Sequence, residues 1–331
     1  MSPLAGRSAA SCPHCLRRIH ELTVKVRSSF PTGPPIYGDM SNSLDTTAHL
    51  PQPPRGIFGT LANGLADLGA VVMRGVEAVG DLSLFTWRML VWMLTRLPRH
   101  ETIWPNFYQV GVLSVPVVAL TGTFIGMVLA VQSYFQFRQL GLETRLGAVI
   151  NMSLVRELGP VLAATMLAGR VGSAMSAELG TMRVTEQIDA LASMGANPVH
   201  YLVVPRFLAC IFLIPALTVM ADFMGVEGGY FYSVIILGID EHHYWHNSAQ
   251  FVGTFDLFSG VFKSLFFGGT IAIVACYRGF HCDAGAEGVG RAATAAFVYS
   301  FVLILFEDLF LGIILNAVYY SLWPQGANLF S

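Results

Sequence analysis

Three ionisable residues, Glu157, Lys263 and Asp308, lie inside long apolar stretches of the sequence. A charged side chain at membrane depth costs at least about 2.5–3.5 kcal/mol on insertion scales, so such residues usually face a partner or a cavity. One cation among carboxylates can form a mutually compensating cluster. We therefore expect the three side chains either to pair across a helix interface and hold a bundle together, or to line a cavity for a lipid and interact with its headgroup.

The composition agrees with a membrane environment for these charges. Of the 331 residues, 54% are hydrophobic and 12% are charged, against about 25% charged in a typical soluble domain. The formal net charge of −2 does not favour a nucleic-acid partner. The two lysines, Lys25 and Lys263, follow Val24 and Phe262, so neither lies in the Gly-Lys-Ser/Thr of a P-loop. We predict that the chain is not an enzyme and binds no cofactor itself, and that any ATP and Mg²⁺ are held by a separate subunit.

Five apolar stretches are each long enough to cross a bilayer, which takes about 20 helical residues. They cover residues 102–137, 146–169, 207–239, 257–277 and 292–322. We predict an all-α polytopic membrane protein whose second span bends at Pro160. Basic residues cluster before the first span and between the second and third, so the N-terminus and the 170–206 segment are predicted to be cytoplasmic or stromal.

Small residues in these stretches predict close helix packing. Gly122 and Gly126 form a small-xxx-small pair in the first span. Gly169 and Gly172, on either side of Arg170, are further candidate packing positions. We expect residues 113–135, with their glycine pair, to line an apolar pocket at a dimer interface.

Two segments precede the first span. Residues 1–55 are rich in Pro, Ser and Arg and lack helical periodicity, so we predict a disordered extension. This extension weakly resembles a transit peptide, and the alternative is an extended or misassigned start before Met40. Over residues 57–100 the polar residues fall on one helical stripe, which predicts an amphipathic helix in the membrane interface, either continuous or broken at Gly75 or Gly80.

Two groups of potential metal ligands are incomplete. Cys12 and Cys15 have the spacing of a zinc or redox pair, but no second pair accompanies them. His242 and His246 are four residues apart, with no defined third ligand. We predict no metal site, and a solvated interfacial loop over residues 240–256.

The 170–206 segment contains a short amphipathic pattern. An apolar face is formed by Val184, Ile188, Leu191 and Gly195, and a polar face by Glu186, Asp189 and Ser193. Gly180 precedes the predicted helix, and Gly195 ends it. A short helix joined rigidly to two spans suits the docking of a motor subunit, and an ordinary interfacial loop helix is the alternative.

The same region resembles a known family. The motifs are Arg156-Glu157-Leu158-Gly159-Pro160, Ala168-Gly169-Arg170-Val171-Gly172-Ser173-Ala174, Ala177-Glu178-Leu179-Gly180-Thr181-Met182 and Glu186-Gln187-Ile188-Asp189-Ala190-Leu191. They resemble those of the MlaE/YrbE family of ABC-transporter permeases, over roughly residues 57 to 322. The resemblance implies a permease transmembrane domain over residues 102–322.

The resemblance also implies a function and partners. Members of this family are homodimeric permeases that move phospholipids or related lipids between membranes, either maintaining outer-membrane lipid asymmetry or importing lipids across an envelope. They work with a cytoplasmic ABC ATPase, an MCE-domain protein on the outer face and, in some cases, a STAS-domain protein. The implied location is the bacterial inner membrane, or alternatively the plastid inner envelope.

By the same resemblance, Glu186, Asp189, Ala190, Leu191 and Gly195 form the coupling helix that contacts the ATPase. The alternative function is an ion-coupled secondary transporter that uses the intramembrane carboxylates. Transporters of that class often contain inverted repeats, and the sequence shows no convincing repeat.

Overall fold

The computed structural model describes residues 57–95, 100–142 and 145–322. The predicted extension over residues 1–55, with Cys12 and Cys15, lies outside the described residues. The chain divides into two units, residues 1–69 and 70–331. All regular secondary structure within the described ranges is helical, which confirms the predicted all-α class.

Helix α1 runs over Ile57–Thr95 without a break at Gly75 or Gly80. Its last turns pack against later parts of the chain, since Met89 is buried and the Phe85 ring contacts the rings of Tyr277 and Phe280. By contrast, several apolar side chains in the middle of the helix are exposed, namely Val72, Met73, Val76 and Val79. The predicted amphipathic helix therefore forms, and its place in the membrane interface stays a prediction.

Five helical spans follow, each long and apolar enough to cross a membrane. They are Glu101–Gln139, Leu146–Val184, Val199–Ile236, Thr254–Phe280 and Ala286–Ser321. The predicted number is confirmed, and the chain is a multi-pass membrane protein. The second span continues to Val184 instead of ending near residue 169, because the helix runs on into polar sequence that hydropathy alone excludes.

The first two spans are composite helices. The first comprises α2 (His100–Phe107), a π-helical segment over Tyr108–Val112 and α3 (Val115–Gln139). The second comprises α4 (Leu146–Ser153), α5 (Gly159–Leu167) and α6 (Ser173–Val184), joined by π-helical segments at Leu154–Leu158 and Ala168–Gly172. Pro160 lies in the first turn of α5, directly after the π-helical segment Leu154–Leu158, and the bend predicted there stays a prediction.

The remaining helices complete the bundle. The short helix α7 (Gln187–Ser193) precedes the third span, in which α8 (Val204–Tyr230) lies between π-helical segments at Val199–Val203 and Phe231–Ile236. They are followed by α9 (Glu241–Phe251), α10 (Thr254–Phe280) and α11 (Ala286–Leu322). The fourth and fifth spans are α10 and α11.

Glycines bring the first and third spans into backbone contact. A Cβ atom added at Gly122 would lie 2.6 Å from the carbonyl oxygen of Ala221. A Cβ atom added at Gly126 would overlap the carbonyl oxygen of Gly225. The predicted close packing at this pair is confirmed. The third span of the same chain covers the glycine pair itself, and the expectation that residues 113–135 line an apolar pocket at a dimer interface stays a prediction.

The other two predicted packing glycines make looser contacts. A Cβ at Gly169 would lie 3.5 Å from the Phe297 ring on the fifth span, at ordinary van der Waals distance. A Cβ at Gly172 would lie 3.3 Å from Ile271 on the fourth span, which is tighter. The second span therefore packs against both neighbours near Arg170.

The loop predicted over residues 240–256 is largely helical, which corrects that prediction. Helix α9 begins after Asp240, whose side chain accepts hydrogen bonds from the backbone N–H groups of His242 and His243 at 2.8 and 3.3 Å. These bonds hold the pKa of Asp240 below its usual value. The low hydropathy of the segment concealed a capped helix with two buried side chains, Tyr244 and Ser248.

The histidines of α9 stack but do not complete a metal site. The rings of His242 and His246 lie 5.7 Å apart, and His246 contacts the Gln250 amide. Within the described ranges, no group of three or more His, Cys, Asp or Glu side chains is placed to hold a metal ion.

Tyr244 fastens α9 to the start of the second span. Its hydroxyl donates to Asn151 Oδ1 at 3.2 Å, and Asn151 donates to Ser248 Oγ at 2.9 Å. All three side chains are buried. Burial raises the pKa of Tyr244 to about 12, so its hydroxyl stays protonated at any physiological pH.

We expect Tyr244→Phe to lower the free energy of unfolding by about 1–3 kcal/mol, because the buried Asn151 carbonyl loses its donor. The measurement is the thermal unfolding midpoint of the detergent-purified chain. Tyr320→Phe makes the same chemical change at an exposed tyrosine and should leave the midpoint unchanged. Equal midpoints for the two variants would show that this bond does not hold α9.

Candidate functional site

The structure brings together the three intramembrane charges selected from the sequence. Lys263 Nζ donates to Glu157 Oε2 at 2.6 Å and lies 3.0 Å from Asp308 Oδ1. The three residues come from the second, fourth and fifth spans. The Lys263 side chain is only 2% exposed, whereas that of Glu157 is 43% exposed. Within the cluster, the ammonium group of Lys263 is therefore inaccessible from outside the chain, whereas the carboxylate-bearing side chain of Glu157 is partly accessible.

Local structure places each charge. Glu157 lies in the π-helical segment Leu154–Leu158, where one extra residue per turn changes the direction of the side chains. On the fifth span, a Cβ atom at Gly312 would lie 3.6 Å from Lys263 Nζ. That distance is an ordinary van der Waals contact, so an alanine would fit at Gly312, one helical turn after Asp308, but a larger side chain would crowd the ammonium group.

A second cation extends the cluster. Arg156 Nη1 lies 3.8 Å from Asp256 Oδ1, and its Nη2 donates to Asn316 Oδ1. Arg156 Nε also lies 4.0 Å from Glu157 Oε1. The result is a charged row, defined here as Asp256, Arg156, Glu157, Lys263 and Asp308. It joins the second, fourth and fifth spans by alternating charge.

Sequence reasoning missed Arg156, Asp256 and Asn316 as members of this row. Asp256 was assigned to a loop, but it caps the fourth span by accepting from the Gly253 N–H at 3.0 Å. The available signal was Arg156 itself, since a cation beside Glu157 in an apolar span needs a partner of its own.

Two further acids of the spans lie outside the charged row. Glu307 accepts a hydrogen bond from Thr270 on the fourth span. Asp222 on the third span is buried, and a Cβ atom at Gly159 would overlap its Oδ1. Among the described residues, neither carboxylate oxygen of Asp222 has a hydrogen-bond partner. Gly159 therefore allows the third span to approach the second directly beside Glu157.

Helix α7 has the predicted amphipathic character. Ile188 is buried and Leu191 is half-buried, whereas Glu186, Asp189, Ala190 and Ser193 are exposed. Glu186 has a left-handed backbone conformation (φ 58°) before the helix, and Gly195 (φ 79°) ends it. The helix thus offers one exposed face between two sharp turns.

Two expectations about this helix are wrong. Val184 is exposed and ends the second span, because the turn at Thr185–Glu186 interrupts the helical phase. Gly180 does not precede α7 but lies within the second span, where an added Cβ would be 3.2 Å from Cys282 Sγ. Helix α7 is therefore shorter than the sequence pattern indicated.

Ion pairs fix α7 and the start of the third span to the second span. Arg183 Nη1 lies 2.7 Å from Asp189 Oδ1, a pair exposed to solvent. Arg206 Nη2, on a buried side chain, lies 3.0 Å from Glu178 Oε1, and its Nη1 donates to the Leu202 carbonyl. The second span is therefore joined to α7 by one exposed ion pair and to the third span by one pair with a buried arginine.

Comparison with known sequences identifies the architecture. The sequence profile of the family described as Permease MlaE matches residues 103–314, which is more than half of the chain. The chain belongs to the MlaE permease family. The matched region contains α7 and all five members of the charged row.

Individual relatives of this MlaE-family chain come from bacteria and a plastid. It is 40% identical over 248 residues to a probable ABC transporter permease protein of Rickettsia bellii, covering 75% of this chain and 96% of the relative. It is 32% identical over 254 residues to the intermembrane phospholipid transport system permease protein MlaE of Haemophilus influenzae, covering 76% and 97%. It is 36% identical over 220 residues to the chloroplastic protein TRIGALACTOSYLDIACYLGLYCEROL 1 of Arabidopsis thaliana, covering 65% and 63%.

Proposed function

We propose that this MlaE-family permease is the membrane subunit of an ABC transporter that moves phospholipids or related lipids between membranes. The names of the Rickettsia and Haemophilus relatives support an ABC system and a phospholipid substrate. One observation carries the proposal for this chain. The second span is helical from Leu146 to Val184, holds Glu157 against the buried Lys263 and leads directly to α7.

Exposed surfaces of the described residues support two of the proposed partners, the ATPase and a second copy of the chain. A separate cytoplasmic ATPase, which binds ATP and Mg²⁺, docks on the exposed face of α7 at Glu186, Asp189 and Ala190. Homodimer formation is supported by the fifth span, because only 6% of an apolar 18-residue window of this span is buried within the chain. An MCE-domain protein on the outer face and a STAS-domain protein complete the assembly. The membrane is the bacterial inner membrane, with the plastid inner envelope as the alternative that the Arabidopsis relative supports.

The charged row supplies a mechanism for lipid handling. Lys263 is held between carboxylates of two different spans. A change in the separation of those spans transfers the ammonium group toward one carboxylate and releases the other. Glu157, the open end of the cluster, then becomes available to a headgroup amine, and the cations to a headgroup phosphate. Binding and release of a lipid are thereby linked to movement of the second span.

We expect Ala190→Trp to reduce co-purification of the ATPase at least about tenfold, because a bulky side chain on the docking face prevents close contact. The measurement is ATPase recovery with the tagged permease, together with lipid-stimulated ATP hydrolysis. Ala249→Trp makes the same change on the exposed face of α9 and should have no effect.

Ala190 is a better test position than its neighbours. Asp189→Arg and Gly195→Trp should also uncouple the permease, but Asp189 pairs with Arg183 and Gly195 has a positive φ. Both substitutions therefore change α7 itself. If the Ala190→Trp permease retains its ATPase subunits and normal hydrolysis, α7 is not the docking helix.

Transport that persists without ATP but stops when the proton gradient collapses would support the ion-coupled alternative.

A further inference from the structure

A cavity with a partly polar lining lies between the first and second spans. It has a volume of about 230 Å³, and its polar lining residues are Asn106, Gln109 and Arg170. Arg170 follows Glu157 by about 20 Å along the second span, at a helical rise of about 1.5 Å per residue. The cavity is therefore separate from the charged row, and nothing in the proposed transport cycle uses it.

The charge of this cavity is unbalanced. Arg170 Nη1 donates to Ser114 Oγ, which is buried on the first span. This bond fixes the guanidinium and leaves most of its five N–H groups for other acceptors. No carboxylate of the described ranges lies within ion-pair distance of Arg170, and no acidic residue lines the cavity. The site is suited to an anion.

The position of the cavity indicates which anion. Trp104 and Tyr108, at the same end of the first span, are 78% and 56% exposed. Exposed Trp and Tyr at a span end mark the headgroup level of a bilayer. Leu113, which also lines the cavity, is an exposed apolar side chain farther along the span. An anion held by Arg170 therefore lies at headgroup depth, with apolar surface beside it on the side of the acyl chains.

We propose that Arg170 and Gln109 form a binding site for the phosphate of a phospholipid in the leaflet next to Trp104. The guanidinium fork matches the oxygens of a phosphate, and charge-assisted bonds of this kind are roughly twice as strong as neutral ones. Gln109, which is exposed, adds an amide donor at the mouth of the cavity. The site requires a membrane environment but does not require that the bound lipid be transported, so it does not rest on the proposed function.

The test is lipid binding by the full chain, purified in detergent in phosphate-free buffer and measured by native mass spectrometry. Three probes are added separately: dioleoylphosphatidylglycerol, dioleoylglycerol, which has the same chains without the phosphate, and inorganic phosphate. The key variants are Arg170→Gln and Gln109→Leu. The control is Arg278→Gln, which removes a cation that lies over the Tyr299 ring, outside the cavity.

We expect the wild-type chain to bind the phosphatidylglycerol in preference to the diacylglycerol. Arg170→Gln should lower its affinity for the phosphatidylglycerol at least about tenfold, as for the loss of a hydrogen bond to a charged group, and Arg278→Gln should not. If Arg170→Gln does not fold, Gln109→Leu serves instead and should lower the affinity about threefold or more, because the exposed Gln109 amide exchanges a bond to water for its bond to the phosphate and the net gain is small.

Four results would overturn the proposal. In the first, Arg170→Gln and Gln109→Leu bind the phosphatidylglycerol as the wild type does. In the second, the diacylglycerol binds equally well. In the third, inorganic phosphate displaces the lipid, so that the ligand is soluble phosphate. In the fourth, Arg170→Gln changes only the ratio of dimer to monomer in the same spectra, so that a second copy of the chain occupies the cavity.

Discussion

Lys263→Met is expected to abolish lipid transport and to lower the free energy of unfolding by about 3 kcal/mol. Removing one partner of a buried ion pair typically costs about 3–5 kcal/mol, because the other charge is left without compensation. The lower end applies here, since Glu157 is partly exposed. The measurements are transfer of a fluorescent phospholipid in proteoliposomes containing the complete transporter, and thermal unfolding of the purified permease.

A triple variant separates the structural and mechanistic roles of the cluster. Lys263→Met combined with Glu157→Gln and Asp308→Asn removes all three charges and leaves no uncompensated ion. We expect this variant to regain most of the lost stability but no transport. Recovery of both would contradict a role in lipid handling, and the cluster would then serve only to hold the spans together.

Gly126→Ala is expected to prevent normal packing of the first span on the third. The added Cβ would overlap the carbonyl oxygen of Gly225, which is backbone and cannot rotate away. Overpacking usually costs about 1–3 kcal/mol and occasionally more, and a backbone obstacle places this site at or above the upper end. Recovery of monodisperse protein by size-exclusion chromatography, and its unfolding midpoint, are the measurements.

Gly290→Ala is the matched control for that substitution. Gly290 lies in the fifth-span helix, and a Cβ atom there would have nothing within 4 Å. Alanine is favoured over glycine in a helix by about 1 kcal/mol, so this variant should be as stable as the wild type or more stable. If both variants behave alike, contact at Gly126 is not what joins the two spans.

The features predicted well from the sequence are those that depend on a local energetic requirement. A span needs an uninterrupted apolar run, so the five spans follow from composition. Glu157, Lys263 and Asp308 are each costly in an apolar helix, and that cost predicts their pairing without knowledge of the fold. Gly122 and Gly126 likewise show, by spacing alone, that a backbone approaches them, although not which backbone.

The features that were missed depend on long-range geometry or on irregular helices. Arg156 meets Asp256 and Asn316 from 100 and 160 residues farther along the chain, and no local pattern predicts that meeting. The π-helical segment at Leu154–Leu158 adds a residue to a turn, so a fixed 100° per residue misplaces the side chains beyond it. Helix α9 has low hydropathy, and Asp240 followed by helical sequence was the signal that could have identified it.

Because the second span is long, a small tilt at its Val184 end moves Glu157 by several ångströms. It has 39 residues, about 58 Å at the helical rise, whereas the hydrocarbon core is about 30 Å thick. Glu157 and Val184 are therefore about 40 Å apart along the axis. A tilt of only about 5° about the Val184 end displaces Glu157 by about 3.5 Å, more than its 2.6 Å separation from Lys263. Pulsed electron–electron distances between spin labels at Val149, which is exposed near the far end of the second span, and at the C-terminal end of the fifth span, with and without nucleotide, would measure that tilt.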